Sequence, residues 1–321
     1  MTEPDITALT AQLLKGDKRA AAKLITIVEN DPMDAKKVIS RIYKSIGTAQ
    51  IVGITGPPGS GKSTLVNQLA SYMRQKGRTV GIIAMDVSSP FSGGAFLGDR
   101  IRMMDLTTDS GIFIRSMATR GCKGGIARAT CDAIKILDAF GKDIILVETV
   151  GAGEDDVDIM NASHTSIVIT VPGLGDDIQA NKAGMMEIAD IFVVNKADRE
   201  GADMAVHVLE SMLRLTDQNG WKPPIVKTIA TGSVGINELT DRIDEHFNYL
   251  KQNDLIRERH KRRAEMEIVN IARDIITRDV EEIKKSEAYN KLIEEIIEKK
   301  TDPHSAVEEI MMMIKTGYIK K

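Results

Sequence analysis

Cysteine is scarce: Cys122 and Cys131 are the two in a chain of 321 residues, and they form no C-x-x-C pair. A disulfide scaffold is therefore excluded, and a reducing compartment is the simplest setting. Long hydrophobic runs are missing too. No stretch reaches the roughly 18 apolar residues a membrane span requires. The opening Met1-Thr2-Glu3-Pro4-Asp5 has neither the basic-then-apolar order of a secretory signal nor the arginine-rich pattern of a transit peptide, so a cytoplasmic protein is expected. Excess charge of either sign is also lacking. Basic residues number 43 and acidic ones 46, a formal net charge of −3, with no electrostatic ground for nucleic-acid or membrane partners. Five scattered histidines and the two cysteines show no metal-ligand spacing. What is present, 42 % apolar and 28 % charged residues, is the mix of a globular protein.

Three zones differ in pattern. In residues 1–47, Ile6, Leu9 and Leu13, then Leu24, Ile25, Ile27 and Val28, fall at helical spacing, punctuated by Gly16-Asp17 and Asn30-Asp31-Pro32. This zone is expected to be a helical extension. Residues 48–250 alternate helical stretches with short apolar runs: 51–54, 80–85, 144–147, 167–171, 191–194 and 225–226. The runs are β-branched, do not alternate with polar residues, and end in loops bearing Gly or Asp. Strands apolar on both faces belong to a mostly parallel sheet between helical layers, an α/β fold. In residues 251–321 charges of both signs crowd around Ile268, Ile271, Ala272 and Ile275, then Leu292, Ile293, Ile296 and Ile297. A third stripe, Ala306, Val307, Ile310, Met311 and Ile314, restarts after Thr301-Asp302-Pro303. Such narrow stripes fit either a solvated helical cap or a dimerisation arm. Met311-Met312-Met313 reads as helix core, Lys261-Arg262-Arg263 as a solvated face, and His164 as a loop hydrogen-bonder.

Gly56-Pro57-Pro58-Gly59-Ser60-Gly61-Lys62-Ser63 completes the spacing G-x-x-x-x-G-K-[ST], followed by Thr64, between a strand and a helix. Its glycines let backbone amides turn inward around a β-phosphate, and the helix N-terminus adds a positive end. Lys62 would neutralise β- and γ-phosphate oxygens, and Ser63 would ligate Mg²⁺. A P-loop NTPase domain is expected over 48–250.

Three acids fall at the same sheet edge. Asp86 and Glu148 close strands, and Asp99 sits in the loop Ser92–Arg100. Ligands of open α/β sheets lie outside the carboxyl ends of the strands, so these acids are placed to share the metal with Ser63. Asn195-Lys196-Ala197-Asp198 follows the strand 191–194 and looks like the guanine-reading N-K-x-D of GTP-binding proteins. The Asp198 carboxylate can accept from N1–H and the exocyclic amine of guanine, a donor pair adenine lacks. Asn195 would brace the loop and the Lys196 stem would lie over the base. After the strand near Val226, where Ile229-Ala230 replaces a Ser-Ala, only a main-chain contact near Ala230 remains for the base. Glu148-Thr149-Val150-Gly151 resembles the D-x-x-G that senses a γ-phosphate. The next residue, Ala152, cannot orient a water, which predicts slow intrinsic hydrolysis.

Together these stretches resemble the MeaB/ArgK family, GTPases that act as chaperones of adenosylcobalamin-dependent acyl-CoA mutases of the methylmalonyl-CoA mutase type, once described as lysine/arginine/ornithine transport ATPases. Residues 93–103, 147–153 and 172–179 carry the resemblance alongside the phosphate loop and Asn195–Asp198. It implies GTP/GDP and Mg²⁺ as ligands, with Lys62, Asp86, Asp99 and Glu148 as nucleotide- and metal-handling residues. It also implies a third switch in which Asp176, Gln179 and Lys182 couple nucleotide state to the mutase, and a homodimer built through the C-terminal arm. Three stretches depart from the family pattern: Val87 within Asp86-Val87-Ser88-Ser89, the acidic Glu154-Asp155-Asp156, and Ala183 after Lys182. No D-x-H-x-x-G cobalamin signature occurs, so the cofactor belongs to the partner. Two other readings compete: a nickel-inserting metallochaperone GTPase, which needs the Cys/His ligands this chain lacks, and a transport-associated ATPase or kinase, against which Asn195–Asp198 argues.

Overall fold

The computed structural model describes residues 3–86, 106–118, 125–151, 162–173, 188–215 and 220–316. The chain divides into two compact units, Met1–Ala264 and Glu265–Lys321.

The first unit is built on a seven-stranded parallel sheet: β1 (Gln50–Thr55), β2 (Val80–Asp86), β3 (Ile112–Ala118), β4 (Ile144–Glu148), β5 (Thr165–Thr170), β6 (Ile191–Asn195) and β7 (Ile225–Thr228). Its spatial order is β3-β2-β4-β1-β5-β6-β7. All six ladders are parallel. Successive residues of β1 enter different cores. Ile51 joins one face, while Val52 and Ile54 join the other. This double burial explains why the runs showed no polar alternation. On one face lie α4 (Lys62–Gln75) and α7 (Ile236–Gln252), through Leu65, Leu69, Leu239 and Ile243. On the other lie α5 (Gly125–Ala139) and, over β5 and β6, α6 (Ala202–Leu215).

The N-terminal helices α1 (Glu3–Leu13), α2 (Lys18–Asn30) and α3 (Pro32–Ile42) share the core of α5, β2 and β3. Asp17 and Asp31 cap α2 and α3 by accepting from the amides two and three residues on, which is why the sequence punctuates there. Strand β3 is not among the expected apolar runs. It is an edge strand, and Arg115 and Ser116 break its apolar run; Arg115 pairs at 2.6 Å with Glu29 of α2.

Helix α8 (Leu255–Ile283) runs across the division at Ala264, and α9 (Glu287–Ile297) and α10 (Pro303–Lys315) complete the second unit. Asp302 caps α10 at the expected restart. Within this unit Leu292 and Ala306 are buried, but Ile268, Ile271 and Ile275 are exposed. Met312 is 67 % exposed while Met311 and Met313 are half-buried, so the expected helix core is only partly covered along this triplet. Six residues beyond Ala306, Met312 stands about 120° away round α10, off the face that Ala306 buries. Among the described residues no helix is long and apolar enough to cross a membrane.

Candidate nucleotide site

Strand β1 ends mid-sheet at Thr55, and the chain turns through 56–61 into α4. Gly61 stands at the helix N-terminus with φ +90°, and a Cβ there would sit 2.5 Å from Asn195 Nδ2. Only glycine satisfies both the left-handed backbone and the close approach. No side-chain hydrogen bond caps this helix start, so its first amides face the loop, the arrangement that favours an anion.

Lys62 is buried, and its Nζ donates to the carbonyls of Gly56 at 2.8 Å and Pro57 at 3.2 Å. The ammonium thus lies inside the curl of the loop. Ser63 Oγ donates to Glu148 Oε1 at 2.6 Å, both side chains being buried. Register explains the meeting: Glu148 lies beside Ile54 in the β1–β4 ladder, at the foot of α4. A hydroxyl and a carboxylate side by side form the hard oxygen donor set that suits Mg²⁺. The chain then holds against the loop at two further points. The Thr149 amide donates to the Ile54 carbonyl at 3.0 Å. Gly151, at φ +84°, presses so closely that a Cβ would strike the Gly56 carbonyl and stand 2.6 Å from Lys62 Nζ.

Asn195 ties the expected base-reading loop to the phosphate loop. Its Nδ2 donates to the Ser60 carbonyl at 2.8 Å, and its Oδ1 accepts from Thr228 Oγ1 at 3.0 Å. Lys196, at φ +56°, donates from Nζ to the Gly59 carbonyl at 2.7 Å. Asp198, in the turn beyond, is exposed. The amide of Ala230, near which a main-chain contact to the base is expected, donates to Asn195 Oδ1 at 3.2 Å from the first residue of the 3₁₀ turn Ala230–Gly232. Thr228 went unnoticed in the sequence: it follows Lys227 at the end of the short run Ile225-Val226, and no spacing there marks it as a partner of Asn195.

Three hydroxyls at this edge are buried without a hydrogen-bond partner among the described residues: those of Ser60, Thr149 and Thr170. Asp86 closes β2 as expected, two residues past Ala84, the neighbour of Glu148, but its side chain lies outside the described residues. Asp99, Ala152, Asp176, Gln179 and Lys182 also lie outside them.

The family described as methylmalonyl-CoA mutase-associated GTPase MeaB matches residues 21–285. A Pyrococcus abyssi protein, assigned by name alone as a GTPase, is 51 % identical over 97 % of this chain and 98 % of its own length. The Escherichia coli GTPase ArgK is 31 % identical, covering 74 % of this chain and 75 % of its own. The mouse mitochondrial methylmalonic aciduria type A homolog is 30 % identical over 75 % of this chain and 62 % of its own. The crystal structure of an LAO/AO transport system kinase superposes with a TM-score of 0.71 at 21 % identity, covering 98 % and 99 % of the two chains. It shares the fold.

Proposed function

Because this chain belongs to the MeaB family of methylmalonyl-CoA mutase-associated GTPases, we propose that it hydrolyses GTP as the chaperone of an adenosylcobalamin-dependent acyl-CoA mutase, gating cofactor loading and protecting the enzyme. The observation that carries this reading is the family match over residues 21–285, a span holding both the phosphate loop and Asn195–Asp198. The name of the mouse relative points the same way.

In this reading the loop amides of 56–63 and Lys62 hold the phosphates. Ser63 and Glu148, with Asp86 and Asp99, hold Mg²⁺, which when bound offsets the charge developing on the phosphate oxygens. Asp198 selects guanine through its two hydrogen-bond donors. Asn195 keeps the base-reading and phosphate loops in fixed relation through Ser60, Thr228 and Ala230. Ala152 offers nothing to aim the attacking water, so turnover waits on the partner. Asp176, Gln179 and Lys182 pass the nucleotide state to the mutase. The exposed Ile268, Ile271 and Ile275 on α8 support the dimer-arm reading of the C-terminal zone, since a helix keeps such a stripe for a partner helix.

The test is capture of a purified acyl-CoA mutase by the full-length chain. Retention with a non-hydrolysable GTP analogue and weaker retention with GDP is the expected result. Equal retention in both states, or none, overturns the partner while leaving the GTPase intact.

A further inference from the structure

The amino edge of the sheet, opposite the phosphate loop, carries a histidine pair that nucleotide chemistry does not use. His164 is buried in the turn before β5, and its Nδ1 accepts from the Ile51 amide at 3.0 Å. An amide only donates, so Nδ1 carries no proton and the ring hydrogen sits on Nε2. That nitrogen lies 3.2 Å from Nε2 of His260, in the second turn of α8. The bond therefore has one direction: His164 donates and His260 accepts. Phe247 of α7 packs on the His164 ring, with centroids 5.3 Å apart. One residue earlier in α8, Arg259 grips Asp190 with contacts of 2.6 and 3.2 Å. The same carboxylate accepts from the Ser166 amide and faces His246 Nε2 at 3.3 Å.

We propose that the His164–His260 pair is a proton-operated latch that fastens the first turns of α8 to the amino edge of the sheet and loosens them on acidification. Protons reach His260, which is exposed, whereas both nitrogens of buried His164 are engaged. Once Nε2 of His260 is protonated, two N–H groups confront each other and no acceptor remains. The groups facing the pair set where this happens. Partial desolvation of its ring against the sheet edge, with Arg263, holds His260 below its ordinary value, and Asp138 of α5 opposes them. Burial holds His164 down to about 3, aided by His260, Arg263, Arg259 and Lys251. The latch is therefore closed at neutral pH and opens below the ordinary imidazole range. The Arg259–Asp190 pair remains as the pivot.

Backbone hydrogen exchange of residues 255–263 in the full chain, corrected for intrinsic rates, tests the latch at about pH 7.5 and about pH 5.5, either side of that range. In the wild type, protection should fall by up to about tenfold for each pH unit below the ordinary imidazole value of about 6.5, levelling off once the lowered pKa of latched His260 is passed. His260→Gln keeps a neutral acceptor for His164, so its protection should not change with pH. His260→Lys has only donors and should already be unprotected at the higher pH. A wild-type segment indifferent to pH, or a His260→Gln variant that tracks the wild type, overturns the latch. Because latch and nucleotide site occupy opposite edges, guanine-nucleotide affinity of the same variants should equal that of the wild type. Loss of GTP binding elsewhere in the chain would leave the latch untouched.

Discussion

The two edges of the sheet are made by the same strands, yet they satisfy their polar groups very differently. At the amino edge, Asp138 accepts from the amides of Gly47, Thr48 and Ala49 and from the Thr48 hydroxyl. It thereby clamps the link between the N-terminal helices and β1. Asp109 accepts from Arg74 and the Gly111 amide, bonds that hold its carboxyl below the usual range. Asp190 gathers Ser166, Arg259 and His246. At the carboxyl edge, by contrast, Ser60, Thr149 and Thr170 bury hydroxyls with no partner among the described residues. Buried polar groups are ordinarily paired, so the exceptions mark where folding has yielded to another requirement. One edge fixes the fold. The other is shaped for a ligand.

That contrast can be broken by substitution. The largest effect is expected for Lys62→Ala, which removes the cation from the loop's curl; kcat/KM for GTP should fall on the order of 10³-fold in single-turnover assays with little change in stability. Asp198→Asn comes next. Losing a charged acceptor for two guanine donors should weaken GTP by about 10²-fold and narrow its margin over ATP, as competition binding would show. At the other edge, Asp138→Ala should cost about 2–3 kcal/mol in denaturant unfolding and leave KM for GTP unchanged. An Asp138→Ala protein as stable as the wild type would remove the basis for the contrast.

Acid sharpens the same division. Burial holds neutral His164 near about 3 and His246 near about 4, whereas the unfolded chain takes up these protons at about 6.5. Their contribution is complete above that value and is lost as the pH falls below it, by up to about 1.4 kcal/mol per pH unit for each histidine. Unfolding midpoints between neutral and mildly acid pH would show the slope. The smallest effect is expected for Thr170→Val. Deleting a buried hydroxyl that has no partner should stabilise the protein by about 1 kcal/mol, the opposite sign to Asp138→Ala.

Much of this was legible in the chain. Strands covered on both faces announce themselves as unbroken apolar runs, and the N-caps Asp17, Asp31 and Asp302 fall where the helical spacing restarts. Glu148 was legible because it closes a strand downstream of a phosphate loop. Strand β3 was not, since an edge strand tolerates Arg115 and Ser116. Nor was the inward turn of the Ala230 amide, which depends on Asn195 arriving from a strand 35 residues away. The role of His164 depended in the same way on His260, which is distant in sequence and adjacent only after α7 and α8 fold back on the sheet. Contacts of that kind leave no spacing to read.

Calorimetric titration of the wild-type protein with GTP and with ATP, magnesium present, tests the central claim most directly. Saturable binding of GTP, with ATP weaker by at least about 10²-fold, is the result this site requires. Equal affinity for the two, or a preference for ATP, would contradict the assignment of the carboxyl edge to a guanine nucleotide.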